Sequence, residues 1–281
     1  MTYPTTDTAP ESTILIKYGG NAMTDQTVRS ALLREISGLK DSGFRPVIVH
    51  GGGPVIKQTL EAAGIESEFV AGHRKTDAVS MKYVEMALRG AVNGELVSIL
   101  NQQQAGAVGI SGKDGNLVIA EKRYHTETID GKTQKLDLGQ VGNVKSVDPR
   151  VIVTLLNNDF LPVISPVSLG EDGLDYNINA DMFAGHIAGA LQVQTYFVLT
   201  DVDGLMEDIN KPESLIKKVS IEDLKTRFND IIRGGMIPKI ESCEIALQHG
   251  AQQAVIINGT RQGSLTEALT QQEFKGTKII S

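Results

Sequence analysis

Two six-residue runs with apolar centres, Thr13–Tyr18 and Arg45–His50, end directly in glycines and then give way to helical periodicity. A short apolar run closed by turn residues marks a strand buried on both faces, and such strands belong to parallel sheets covered by helices. The first run ends at Gly19-Gly20. From about Asp25 the residues Val28, Leu32, Ile36 and Leu39 share one helical face, with Gly43 as the stop. The second run ends at Gly51-Gly52-Gly53 and is followed by Pro54, a residue favoured in a first helical turn. Strands at Leu161–Ser165, Thr195–Thr200 and Ala254–Ile257 continue the alternation, so the expected class is α/β with a mainly parallel sheet.

Between these landmarks, residues Ala78 to about Gln103 read as one long helix bent at Gly90 or Gly94. Ala105–Ile110 and Asn116–Glu121 read as strands, the latter entered through the turn Gly112-Lys113-Asp114-Gly115. Arg123–Val144 is polar and alternating, the pattern of a projecting hairpin or flap. Helices are expected at Pro149–Asn157, Asn179–Leu191 and Ile221–Phe228, and from Pro238 onward. Residues 1–12 are expected to be a flexible lead-in, with lobes at 13–170 and 171–281 sharing one sheet. The soft boundary falls between Val167 and Tyr176.

Charge narrows the class of partner. With 27 Lys and Arg against 34 Asp and Glu the net charge is −7, poorly suited to nucleic acid or an anionic membrane surface. No stretch approaches the ~20 apolar residues of a membrane span. Residues 1–12 lack the basic and apolar regions of a secretory signal. The single Cys243 forms no internal disulfide, sits in a helical run, and reads as a buried small apolar residue. A soluble, cytoplasmic protein is the expectation.

The 29 glycines include three clusters beside strand ends or cations: Gly19-Gly20, Gly51 to Gly53 and Gly234-Gly235. A loop without β-carbons lets backbone N–H groups approach an anion, and a following helix N-terminus adds positive potential. Each cluster alone equally suits a tight turn; three together favour an anion cradle. The spacings match neither a P-loop nor a GxGxxG dinucleotide fingerprint. Lys17 ends an apolar strand, where burial without an anion is costly, although the side chain can also reach solvent at the sheet edge. Lys239 follows Gly234-Gly235 and opposes a helix dipole, either to meet an anion or as an ordinary solvated lysine. Arg74 suits bidentate capture of a carboxylate or belongs to a basic loop. Asn177, Asn179 and Asp181 precede a small, apolar helix and serve equally as caps or as a polar substrate site. His50 reads as a histidine packed by hydrogen bonds.

In order along the chain, Ile16-Lys17-Tyr18-Gly19-Gly20, Val47 to Pro54, Gly72-His73-Arg74-Lys75-Thr76-Asp77, Asn177-Ile178-Asn179-Ala180-Asp181 and Gly234 to Lys239 resemble the amino acid kinase family. Val84-Glu85-Met86, Val92-Asn93 and Ser111 to Gly115 extend the similarity, which runs from about Ile14 to Ile279. The resemblance implies a three-layer αβα sandwich with an open, mainly parallel central sheet. It implies an N-terminal lobe for N-acetyl-L-glutamate, a C-terminal lobe for ATP carrying Mg²⁺, and transfer of phosphate to the γ-carboxylate in arginine biosynthesis. By position, Lys17 and Lys239 stabilise the transferring group and Asp181 organises them. Gly20, Gly52 and Gly53 supply amides, Arg74 clamps the α-carboxylate, and Asn177 with Asn179 completes the substrate set. The nucleotide would rest on Asp201, Val202, Asp203, Gly204, Leu205 and Met206 and on Ile231, Ile232 and Arg233, with no metal site of the protein's own.

These implied roles agree with the chemistry. A carboxylate is nucleophilic at pH 7, so catalysis reduces to aligning two anions and neutralising their repulsion. Residues 1–12 lack the apolar periodicity of the extra helix found in arginine-inhibited hexameric members. Gly259 to Leu265 also replaces their usual carboxy-terminal motif, so an arginine-insensitive homodimer is expected. The competing expectations are a kinase of carrier-linked α-aminoadipate or glutamate, a carbamate-type kinase, and a non-catalytic small-molecule sensor.

Overall fold

The computed structural model describes residues 9, 11–19, 25–70, 72–129, 132–226 and 228–281. Strand β1 (Thr13–Tyr18) leads to helix α1 (Gln26–Asp41), whose N-cap Asp25 accepts from the amides of Thr27 and Val28. Strand β2 (Arg45–His50) leads to α2 (Gly53–Ala62) with Pro54 in its first turn. The short β3 (Phe69–Val70) and β4 (His73–Arg74) pair antiparallel. The long helix is α3 (Ala78–Glu85) and α4 (Asn93–Gln102), joined by a π-helical stretch, Met86–Val92, that contains Gly90. Its irregularity is thus a widened turn, with no break at glycine.

Next come β5 (Ala107–Ser111), β6 (Val118–Ile129), β7 (Lys132–Val147), α5 (Arg150–Asn157) and β8 (Leu161–Ser165). They are followed by β9 (Val167–Gly170), β10 (Asp175–Ile178), α6 (Ala180–Ala190) and β11 (Thr195–Thr200). The chain continues through β12 (Lys218–Ser220), α7 (Ile221–Thr226), α8 (Met236–Gln248), β13 (Ala254–Asn258), α9 (Ser264–Thr270) and β14 (Gly276–Ile280).

Eight strands form the central sheet in the order β12-β14-β13-β11-β1-β2-β8-β5. Every pairing is parallel except β13 with β14. Strand alternation divides the core into two layers. Leu15, Val49, Tyr196 and Val198 face Phe183, Ala184 and Ile187 of α6 and Cys243 and Ala246 of α8. Ile14, Ile16, Ile48 and Phe197 face Leu33 and Ile36 of α1 and Leu96 and Leu100 of α4. The result is the expected helix–sheet–helix sandwich. Cys243 is fully buried, and burial pushes its thiol pKa far up, the behaviour of an inert apolar residue.

Two expectations need correction. The polar hairpin is longer than Arg123–Val144, and it is not a simple projection: β6 and β7 close a four-stranded barrel with β9 and β10. Strands β9 and β10 enter that barrel as Val167–Gly170 and Asp175–Ile178. Helix α8 also begins two residues before Pro238, because a proline is tolerated within a first turn that has no amide partner to lose.

Candidate active site

In a parallel sheet all strand carboxyl ends lie on one edge, and the helices that follow start there. The order β11-β1-β2 therefore gathers Asp201, Lys17 with Gly19, and Gly51 to Gly53 along one line. Lys17 lies opposite Val49 on one side and Val198 on the other. Two residues after Leu15, it shares that residue's face and points into the α6–α8 layer.

There its ammonium group meets Asp181 Oδ1 at 2.9 Å, and Lys239 Nζ reaches the same oxygen at 3.6 Å. All three side chains are largely buried. Burial pushes the Asp181 pKa up, but the two ammonium groups outweigh it and hold the group below the ordinary carboxylate range. Burial and the nearby Lys17 charge pull Lys239 down, against the opposing pull of Asp181 and Asp201. The cluster carries two positive charges against one negative, which leaves a local excess suited to an anion. Asn179 caps α6, accepting from the amides of Asp181 at 2.9 Å and Met182 at 3.2 Å, and so fixes the turn that carries the carboxylate.

Two cavities meet this cluster. The first, about 360 Å³, is lined by Lys17, Asp181, Gly51 to Gly53, Arg74, Asn177 and Asn179, among others. The Arg74 guanidinium lies 4.6 Å from the centre of the Phe69 ring and donates to Ser67 Oγ and, at 3.4 Å, to the Gly53 carbonyl. Gly52 has no room for a side chain: a β-carbon there would sit 2.6 Å from Leu88 Cδ2 and 3.2 Å from Val92 Cγ2. Lys113 pairs with Glu85 of α3 and Asp175 of β10, each at 2.9 Å, and braces the strand that carries Asn177. Asp114 closes its own turn by accepting from the Ser111 amide and hydroxyl.

The second cavity, about 370 Å³, is lined by Leu199, Thr200, Asp201, Val202, Ile209, Gly235, Met236 and Lys239. Thus Asp201 and Val202 of the expected nucleotide set line it. The others of that set do not. Asp203 pairs with Lys275 at 2.6 Å, Leu205 is buried in the core, and Arg233 Nε donates to the Asp230 carbonyl. Gly204, Met206, Ile231 and Ile232 also lie outside this lining. Gly20 falls outside the described residues. Sequence reasoning missed Phe69, Val141 and Pro166 in the first cavity and Ile209 and Met236 in the second. The only available signal was the nearness of Phe69 to Arg74 and of Met236 to Lys239. Among the described residues no three His, Cys, Asp or Glu side chains cluster as metal ligands, and no helix is long and apolar enough to cross a membrane.

Fold and site define an αβα protein whose parallel strand ends place a cationic cluster and glycine-rich loops between two cavities. The chain belongs to the amino acid kinase family, whose model matches residues 12–258. It is 45% identical over 273 residues to the acetylglutamate kinase of Bartonella quintana, spanning 96% of this chain and 89% of that protein. The acetylglutamate kinase of Methanocaldococcus jannaschii is 43% identical over 267 residues, 94% of this chain and 89% of its own. Among solved structures, N-acetylglutamate synthase from Neisseria gonorrhoeae superposes with a TM-score of 0.77 at 22% identity. The match covers 96% of this chain and 59% of that longer one, and at this identity it speaks for the fold alone.

Proposed function

We propose that this chain transfers the γ-phosphoryl group of ATP to the γ-carboxylate of N-acetyl-L-glutamate, giving the acyl phosphate used in arginine biosynthesis. The observation that carries it is the meeting of Lys17 and Lys239 on one oxygen of Asp181, at the junction of the two cavities. Each lysine faces one substrate's side, and both face the group in flight. Relatives at 43–46% identity over nearly the whole chain bear the corresponding name.

In this scheme the first cavity holds the amino-acid substrate, with Arg74 on its α-carboxylate and Asn177 and Asn179 near its acetamido end. The second holds the nucleotide against Asp201 and Val202. The acceptor carboxylate attacks the γ-phosphorus directly, the bond from phosphorus to the β–γ bridging oxygen breaks, and ADP leaves. No general base is needed, because the nucleophile is already ionised. Mg²⁺ enters on the nucleotide and neutralises phosphate charge; Lys17, Lys239 and the Gly52 and Gly53 amides neutralise the rest. Asp181 keeps two like-charged ammonium groups together until the anions arrive. The protein works as a cytoplasmic homodimer of two-lobed chains.

Incubation with MgATP and N-acetyl-L-glutamate, with hydroxylamine as the trap, should yield a hydroxamate. Product only from a carrier-linked α-aminoadipate or glutamate would transfer the assignment to that substrate. Nucleotide-independent ligand binding without turnover would leave a sensor.

A further inference from the structure

His50 takes no part in the chemistry above, yet it is completely buried one residue before the glycines. By alternation along β2 it shares the face of Ile48 and turns toward the α4 layer, away from Lys17. Its Nδ1 lies 2.8 Å from the Gly51 carbonyl oxygen, and its Nε2 lies 3.0 Å from Asn93 Nδ2. The same Asn93 nitrogen donates to the Val163 carbonyl at 2.9 Å. Carbonyl oxygens only accept, so the two ends of this relay dictate its protons. Asn93 donates to both Val163 and His50, and His50 is neutral with its proton on Nδ1, donated to Gly51.

Asn93 is held as closely. It follows directly on the π-helical stretch Met86–Val92, and such stretches collect at functional sites. Opposite it, Gly109 leaves no space: a β-carbon there would lie 2.0 Å from Asn93 Oδ1. The same π stretch supplies Leu88 and Val92, which pack over Gly52.

We propose that His50 and Asn93 are positioning residues that set the Gly51–Gly52 peptide plane and thereby aim the Gly52 N–H at the transferring phosphoryl group; this rests on the phosphoryl transfer proposed above. In one trans peptide the carbonyl and the N–H point in opposite directions. Pinning the Gly51 carbonyl on the α4 side turns the Gly52 N–H to the opposite side, that of Lys17 and Asp181. The Gly51 amide is held as well, by the Tyr18 carbonyl at 2.9 Å. Glycines otherwise rotate freely, and a donor must be oriented beforehand to stabilise charge without reorganisation.

Two measurements separate this proposal from the function it rests on. In protein labelled with ¹⁵N-histidine and free of substrate, the His50 ring should show the neutral Nδ1–H tautomer from pH 8 to 5.5. An Nε2–H tautomer, or titration within that range, overturns the relay whatever the enzyme phosphorylates. Failure of the parent function would instead appear as no hydroxamate from the unaltered enzyme. In the kinetic arm, His50→Leu should lower kcat about 10- to 100-fold, as befits misdirecting one anion donor. KM for either substrate should change less than threefold. His50→Gln retains one donor and one acceptor and should keep at least ten times the kcat of His50→Leu. Equal kcat in the two folded variants overturns the proposal. Should His50→Leu not fold, Asn93→Ala replaces it: a loss of tenfold or more supports the relay, and unchanged kcat overturns it.

Discussion

Lys17 and Lys239 come from opposite ends of the chain and share a single oxygen of Asp181, at 2.9 and 3.6 Å. One stands at the end of a central strand and the other in the first turn of α8. Replacing either lysine by methionine should lower kcat by about 10²- to 10³-fold, the scale of losing one preorganised donor. Each variant should stay folded, because Asp181 keeps one cation. Asp181→Asn should melt at a lower temperature than either, since it leaves two buried ammonium groups without their anion. Steady-state kinetics and thermal unfolding read both effects, and a lysine variant with near-normal kcat would remove the mechanism.

Arg74 is held by the Phe69 ring, Ser67 and the Gly53 carbonyl. Arg74→Met should raise KM for the acylated amino acid by about 10- to 100-fold, the loss of hydrogen bonds to a charged group. KM for ATP should move little, because the second cavity does not include this residue. An equal rise in both would place Arg74 elsewhere in the reaction.

Gly52 is constrained by packing. Gly52→Ala places a methyl group against Leu88 and Val92, shifts the loop, and should reduce kcat tenfold or more. Adding Leu88→Ala opens the space and should recover part of kcat. It should do so at a cost of about 2–5 kcal/mol in stability, because Leu88 is itself a core residue. Recovery of activity in a less stable double variant is the diagnostic; no recovery would assign the loss to something other than this contact.

Burial lowers the His50 pKa to about 4, against the backbone hydrogen bond to Gly51, which raises it. Its unfolded value is about 6.5. Between these values the unfolded chain binds more protons than the native one, so stability rises with pH through this window and is lost as pH falls from 6.5 toward 4. From pH 8 to pH 5 the loss from this group is about 2 kcal/mol. Urea titrations should show that loss in the unaltered protein and not in His50→Gln. His186, whose pKa is also lowered to about 4 by burial, contributes in the same direction to both proteins and cancels in the comparison.

The helix–sheet alternation was legible because β1, β2, β8 and β11 are short apolar runs buried on both faces, a pattern written in consecutive residues. Capping was legible at Asn179 for the same local reason. Strands β9, β10 and β12 have only three or four residues, too few to display a period. At Met86–Val92 the glycine at position 90 marks an irregularity in the helical pattern, but nothing in the order of the residues says that it is a widened π turn.

The candidate cluster divides along the same line. Residue order alone singled out Lys17, Asp181 and Lys239, through a cation closing an apolar strand, a helix start and a glycine loop. That they converge on one carboxylate oxygen follows from the strand order and from α6 and α8 covering the face that Lys17 shares with Leu15. Likewise, His50 was recognisable as a packed histidine, while its hold on the glycine loop depends on Asn93, forty-three positions away. Periodicity and capping arise between neighbours a few residues apart and are therefore visible in the chain itself. Which distant side chains share a charge or a peptide plane is set by how layers pack, where burial and electrostatics act across segments that sequence separates.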